Sequence, residues 1–453
     1  MPRTIALLTA VLLLAACGGT QSEEDEIFPY AYQVDDLDNG LRLVTVNTGY
    51  PNIVALYIVV QVGSRNEVEP GRSGFAHLFE HMMFRGTEKY PPEKWEEVMQ
   101  AAGAQTNAYT SDDRTVYHAV FSKEDLEPIL ELEADRFQTL KYTEEIFRTE
   151  TRAVLSEYNK NFSSPLRKLD EVVRDEAFQK HTYKHTTMGF VEDVENMPTM
   201  YDYGLQFFDR YYRPEYTVVS VIGDVTPEQV RPMVEKYWGQ WKRGGYKPEI
   251  PAEPPQSAAK QINATFHAPT LPWVSVSFHA PAYSDEIVDS AVLDVILFHA
   301  FSENSELYKK LVLDEQKVDV MFPDYSDHVD PYLFSAVARV KDPADVEYVE
   351  QQILAAFEKL KQQPIPAAEL ESVKSHLRYQ FALGMNSTAA IADTLAHYLS
   401  LRRTPETVNK RYALYQQVTP EAITAVANKY FIESGRTVAT LQHEAESPAE
   451  KSE

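Results

Sequence analysis

The chain has 453 residues, enough for two domains or a few, each able to bury its own core. With 43 Lys+Arg against 68 Asp+Glu it carries a formal charge of −25, which sets it against nucleic acid and other polyanions as partners. Hydrophobic residues at 44% and charged residues at 25% exclude wholesale disorder, and the single cysteine, Cys17, excludes an intrachain disulfide or a thiolate metal cluster, so a metal site must use His, Asp and Glu.

Residues 1–16 (MPRTIALLTAVLLLAA) place one Arg before an apolar run. The run is shorter than the roughly 20 residues that span a bilayer and has the shape of a secretory signal peptide. Leu14-Ala15-Ala16-Cys17 resembles the bacterial lipobox, in which cleavage precedes the cysteine and that cysteine is acylated. The expectation is a periplasmic lipoprotein, membrane-anchored through a lipidation site at Cys17; Gly18 in place of an inner-membrane-retaining Asp points to the outer membrane. Residues 17–27 read as a solvated tether.

Beyond the tether, Leu41 to Thr48 and Ile53 to Val62 are rich in β-branched residues and read as strands. Helical periodicity follows over Ser73 to Phe84, Pro92 to Ala102, Lys123 to Tyr142, Glu144 to Asn159 and Pro227 to Trp241, with strands at Thr115 to Phe121 and Thr217 to Ile222. This order predicts an α+β layered domain. The pattern then repeats. Val54-Ala-Leu-Tyr-Ile-Val-Val is echoed from Val274 at an offset of 220, and Tyr211-Tyr212 with Thr217 by Tyr430-Phe431 with Thr437 at offsets of 219 and 220. Two copies of one fold are expected, at 28–242 and 262–445, joined by a Pro- and Gly-rich linker at 243–261 and ending in a disordered tail at 446–453.

His77-Leu-Phe-Glu80-His81 falls on the first of these helices. Two imidazoles four residues apart project from one face and can share a metal, and Glu80 lies on the same face. The pattern His-x-x-Glu-His is the inverzincin signature. A catalytic zinc takes three protein ligands and leaves a position for water, so a further His, Glu or Asp is needed. The helix Glu144 to Asn159 offers Glu144, Glu145, Glu150 and Glu157, and spacing alone does not rank them.

Several segments in order resemble the M16 metallopeptidases, the family of pitrilysin, insulin-degrading enzyme and mitochondrial processing peptidase. They are Gly74-Phe-Ala-His77 through Thr87, Gly103-Ala-Gln-Thr-Asn107-Ala108-Tyr-Thr110, Glu150-Thr-Arg-Ala-Val-Leu-Ser-Glu157, His181-Thr-Tyr183, Gly189, and Tyr212-Arg-Pro214 leading to Gly223-Asp224. The resemblance implies two homologous α/β-layered domains, each an antiparallel sheet packed with helices, in the LuxS/MPP-like metallohydrolase fold. It also implies a Zn2+ cofactor on His77, His81 and Glu157, a zinc metalloendopeptidase activity with Glu80 as general base, and Glu150 as a second catalytic carboxylate that orients a ligand or the water. Asn107, Ala108 and Thr110 would lie on an edge strand where a peptide substrate adds.

The pattern breaks in the second half. Family members that act alone carry an Arg and, seven residues later, a Tyr that assist the substrate carbonyl; the matching positions hold Val312 and Asp319, and Val274 to Ala338 contains no Arg. The second copy has Leu297, Ala300 and Phe301 where the first has its metal motif. The expectation is therefore the metal-bearing subunit of a heterodimer with a homologous metal-free chain. A non-catalytic assembly subunit and a plain metal-binding lipoprotein are the rival readings, and neither needs Glu80. His181 and His185 receive no role.

Overall fold

Ile53–Val60 (IVALYIVV) is apolar throughout, so both faces of this strand must be covered. In the computed structural model, which describes residues 26–444, it lies inside a six-stranded sheet. The signal segment 1–16, Cys17 and the tail 446–453 lie outside the described residues. The sheet comprises β1 (Tyr32–Asp36), β2 (Arg42–Asn47), β3 (Ile53–Val60), β4 (Gln105–Thr110), β5 (Thr115–Ser122) and β6 (Thr217–Gly223), in the order β1-β2-β6-β3-β5-β4. Its helices are α1 (Phe75–Met82), α2 (Pro92–Ala101), α3 (Leu126–Thr139), α4 (Glu144–Asn161), α5 (Pro165–Ala177), α6 (Val191–Asn196), α7 (Tyr201–Tyr211) and α8 (Pro227–Trp238).

The second half repeats this plan with β7 (Lys260–Phe266), β8 (Trp273–His279), β9 (Val318–Asp324), β10 (Leu333–Val340) and β11 (Arg436–His443), in the order β7-β11-β8-β10-β9. That is the order of β2 to β6 in the first sheet. This half also contains helices α9 (Asp289–Ile296), α10 (Glu306–Tyr308), α11 (Val346–Gln362), α12 (Ala367–Gly384), α13 (Thr388–Arg402), α14 (Glu406–Gln417) and α15 (Pro420–Tyr430). The expectation of antiparallel sheets needs one correction in each. β2 runs parallel to β6, and β7 to β11, because the first and last of these strands are neighbours reached by long crossovers rather than by a turn.

Local chemistry also moves some helix ends. The helix expected from Ser73 starts at Phe75 because Gly74 takes φ +90°, and it closes in a 3-10 turn over Met83–Arg85. The helix expected over Lys123 to Tyr142 opens with a 3-10 turn, Lys123–Asp125, before α3.

Each sheet face is covered, and the two halves share the work. On β3, Val54, Leu56, Ile58 and Val60 join the core formed with the first half's own helices. The alternate Ala55, Tyr57 and Val59 meet Ile391, Leu395 and Leu399 of α13, which belongs to the second half. The converse holds on the second sheet. Val274, Val276 and Phe278 face that half's own helices, whereas Trp273 packs with Leu169 and Val173 of α5, lent by the first half. Neither half completes its burial alone.

Candidate metal centre

Phe75, Leu78, Phe79 and Met82 form an i, i+3, i+4, i+7 stripe that fastens α1 into the core. His77, Glu80 and His81 are thereby presented on another side of the helix. The start of α1 is held by Glu67, whose buried carboxylate accepts hydrogen bonds from the backbone N–H groups of Gly74 at 2.7 Å and Ala76 at 2.6 Å. In α4, Phe147, Thr151 and Val154 are buried, and Glu150 and Glu157, two turns apart, face α1.

The two imidazoles meet edge to face with ring centroids 4.9 Å apart. Glu157 Oε2 lies 3.7 Å from His77 Nε2 and 3.4 Å from His81 Nε2. One ligand atom from each of His77, His81 and Glu157 fits within 4.8 Å of the others, and among the described residues this is the group of three or more such side chains able to hold a metal ion. Burial, with His81 beside it, pulls the His77 imidazole down to about 4, so it is neutral and able to ligate at pH 7. Two imidazoles and a carboxylate suit zinc, so the residues present fit the ion.

Glu80 stands on the same cluster but is not a member of the convergent group. Its Oε2 accepts a 2.6 Å hydrogen bond from Thr110 Oγ1, and burial raises its pKa above the ordinary carboxylate value. Glu150 is buried, 3.9 Å from His81 Nδ1 and 3.1 Å from Arg85 Nε. It thus lies against the ring edge opposite the one that faces Glu157. Thr110 ends β4, the edge strand, which pairs only with β5. Ala108 is buried and Asn107 exposed on the same strand. A cavity of about 230 Å³ opens over the cluster and is lined by Glu80, Tyr109, Phe162, Arg167, Asp170 and Thr186 among others. Arg167 and Asp170 were missed by sequence reading because they lie on α5, a helix it did not locate. Glu67 was missed because its segment reads as a charged turn.

In the second half, Val312 is partly buried in the core, and Asp319 on edge strand β9 is paired with Arg339 at 2.7 Å. Leu297, Ala300 and Phe301 occupy a π-helical turn after α9.

Family models match both halves: one described as Insulinase (Peptidase family M16) covers residues 42–190, and one described as Peptidase M16 inactive domain covers residues 202–377. The chain belongs to peptidase family M16. Among M16 relatives it is similar to the zinc protease PqqE of Helicobacter pylori, at 28% identity over 416 residues, 90% of this chain and 91% of that one. It also resembles the probable mitochondrial-processing peptidase subunit beta of Schizosaccharomyces pombe, at 25% identity over 411 residues, covering 87% of each. A solved protease from Helicobacter pylori superposes with a TM-score of 0.85 at 27% identity, covering 91% of this chain and 99% of that chain. The periplasmic protease PqqL from Escherichia coli shares the fold, with a TM-score of 0.71 at 19% identity over 92% of this chain and 49% of that chain. Among the described residues no helix is long and apolar enough to cross a membrane.

Proposed function

We propose that this M16 protein is a zinc-dependent endopeptidase that hydrolyses peptides or unfolded segments, with His77, His81 and Glu157 as metal ligands and Glu80 as general base. The observation that carries this reading is the convergence of those three side chains within 4.8 Å, beside a separately held carboxylate. When bound there, a zinc ion would supply Lewis acidity, polarising a peptide carbonyl and easing the loss of a proton from water.

The chain's own residues do the rest. Glu80 accepts the proton of the attacking water and passes it to the departing amine nitrogen, and Thr110 keeps its carboxylate turned toward the cluster. Glu150, anchored by Arg85, steadies the ring of His81. The free edge of β4, at Asn107, Ala108 and Thr110, offers backbone groups to which a peptide adds as a further strand, a mode tolerant of sequence. Val312 and Asp319 leave this chain without the Arg and Tyr of self-sufficient relatives, so a homologous metal-free chain supplies them across a heterodimer. The lipobox-like Leu14–Cys17 supports anchoring through acylated Cys17, facing the periplasm at the outer membrane.

The test is zinc content and peptide hydrolysis for the wild type and Glu80→Gln. Zinc is expected to be retained while the rate falls by about 10²–10⁴. Retained zinc with undiminished hydrolysis refutes the role of Glu80. Equal rates for the purified chain, shown to be homodimeric, and for any mixture with a homologous chain refute the heterodimer.

A further inference from the structure

The sequence left His181 without a role, and the hairpin that carries Thr110 connects it, together with Tyr183, to one. The turn of that hairpin is Ser111–Arg114, and its two carboxylates, Asp112 and Asp113, are buried although neither touches the metal-type cluster. Buried carboxylates are expensive unless their bonding is complete. Here much of it comes from the second half. Asp112 accepts from Ser64 Oγ at 2.9 Å and Arg174 Nη1 at 2.8 Å, and its other oxygen lies 3.1 Å from Nε2 of His328. Asp113 accepts from Tyr183 Oη at 2.6 Å and from the backbone N–H of Val329 at 3.0 Å. Asp330 in turn accepts from Arg65 Nε at 2.5 Å, stands 3.0 Å from His181 Nε2, and donates its own backbone N–H to Tyr183 Oη at 3.3 Å.

His328, Val329 and Asp330 sit in the loop between β9 and β10. That loop is the second half's counterpart of the β4–β5 turn, so the two equivalent hairpins meet tip to tip. His328 is itself fixed, stacked on Tyr332 at 3.7 Å with Nδ1 2.8 Å from the Ser326 carbonyl. Backbone bonds from Arg65 N–H to the Asp112 carbonyl, at 2.8 Å, and from Ser111 N–H to the Arg114 carbonyl, at 2.8 Å, complete the brace around the turn. One residue before Ser111, Thr110 gives its 2.6 Å hydrogen bond to Glu80. The path is short: the metal-free half holds the turn, the turn holds Thr110, and Thr110 holds Glu80.

We propose that the β9–β10 loop of the metal-free half is a positioning element for the first half's reaction, with His328 and Asp330 as positioning residues that act through the Asp112–Asp113 turn and Thr110 to orient Glu80. This rests on the reading of Glu80 as the base. A fully satisfied buried polar network specifies one geometry, and an error of an ångström in a base's placement costs up to about a hundredfold in rate. The inactive half is thus more than a wall beside the site.

Two readouts on the full-length chain test this. The first uses metal-free protein and needs no activity. Amide hydrogen exchange across residues 105–114 is expected to speed up at least about tenfold in His328→Ala and Asp330→Asn, with β3 and β6 unchanged. The second is a kinetic cycle on the zinc-loaded chain. His328→Ala should lower kcat about tenfold or more with KM within about twofold, and His328→Gln, which keeps an N–H at similar reach, should restore most of it. In a Thr110→Val background the further loss from His328→Ala should shrink to below about twofold, because the link it acts through is already cut. Unchanged hairpin exchange, or fully additive losses in the cycle, overturns the proposal. Should His328→Ala fail to fold, Asp330→Asn decides by the same readouts. A wild type without zinc-dependent hydrolysis even when mixed with a homologous metal-free chain, or an active Glu80→Gln, defeats the peptidase reading instead, and the exchange measurement still decides whether the loop holds the hairpin.

Discussion

Replacing Glu67 by Ala removes the acceptor at the start of α1, the helix that carries His77 and His81. Both of its bonds, to the N–H groups of Gly74 at 2.7 Å and Ala76 at 2.6 Å, lie in the interior, so neither donor gains water when the carboxylate goes. An orphaned buried N–H costs about 1–3 kcal/mol, and the substitution leaves two of them. Release from burying a carboxyl, whose pKa burial pushes well up, returns part of this. The net expectation is a loss of about 3 kcal/mol, a large share of the 5–15 kcal/mol that holds a typical protein folded. His77 directly follows Ala76, so zinc affinity should also fall, by about tenfold. Urea unfolding of the metal-free chain measures the first effect and a competitive zinc titration the second. A stability loss below about 1 kcal/mol together with unchanged zinc affinity would show that Glu67 is not what holds the helix start.

Three further outcomes are expected. Gly189 has φ +79° and an added Cβ would lie 2.7 Å from the Ser73 carbonyl carbon, whereas Gly103 has φ +60° with open space around it, so Gly189→Ala should cost several times the roughly 1–2 kcal/mol of Gly103→Ala in chemical denaturation. Burial acts to raise the Asp330 carboxyl, but the bonds from His181 and Arg65 outweigh it and hold the pKa at about 2, below the ordinary 3.8. That stabilisation, about 2 kcal/mol, is present above pH 4 and lost as the pH falls toward 2, so the gap in stability between wild type and Asp330→Asn should close over that window; a gap independent of pH refutes the assignment. Zinc at a hundred times its dissociation constant should stabilise the chelator-treated chain by about 2.7 kcal/mol in thermal or urea unfolding, with the shift abolished in His77→Ala and kept in Asn107→Ala.

That one fold occurs twice was legible in the sequence, because the apolar run at Val54 is echoed at Val274 and the strands carrying them take the same position in each sheet. The lending of α5 and α13 between halves was not. An amphipathic helix declares that one side must be buried, but not against which sheet, and Leu169 or Leu395 would satisfy that requirement on either one. Glu67, Asp112 and Asp113 were hidden for a related reason. Charged residues in turns read as solvated, and only the fold shows that backbone amides and cross-half side chains take the place of water.

The metal-type cluster divides along the same line. That His77, Glu80 and His81 stand together follows from the sequence alone, because helical geometry places residues three and four apart on one face wherever the helix packs. Which of Glu144, Glu145, Glu150 and Glu157 comes within reach of both imidazoles depends on how α4 passes α1, a contact between segments 76 residues apart that no local period encodes. The tertiary structure brings Glu157 there, sets Glu150 against the far edge of His81, and seats a loop of the second half against the turn beside Thr110. Local spacing decides which side chains share a face; only long-range packing decides what that face meets.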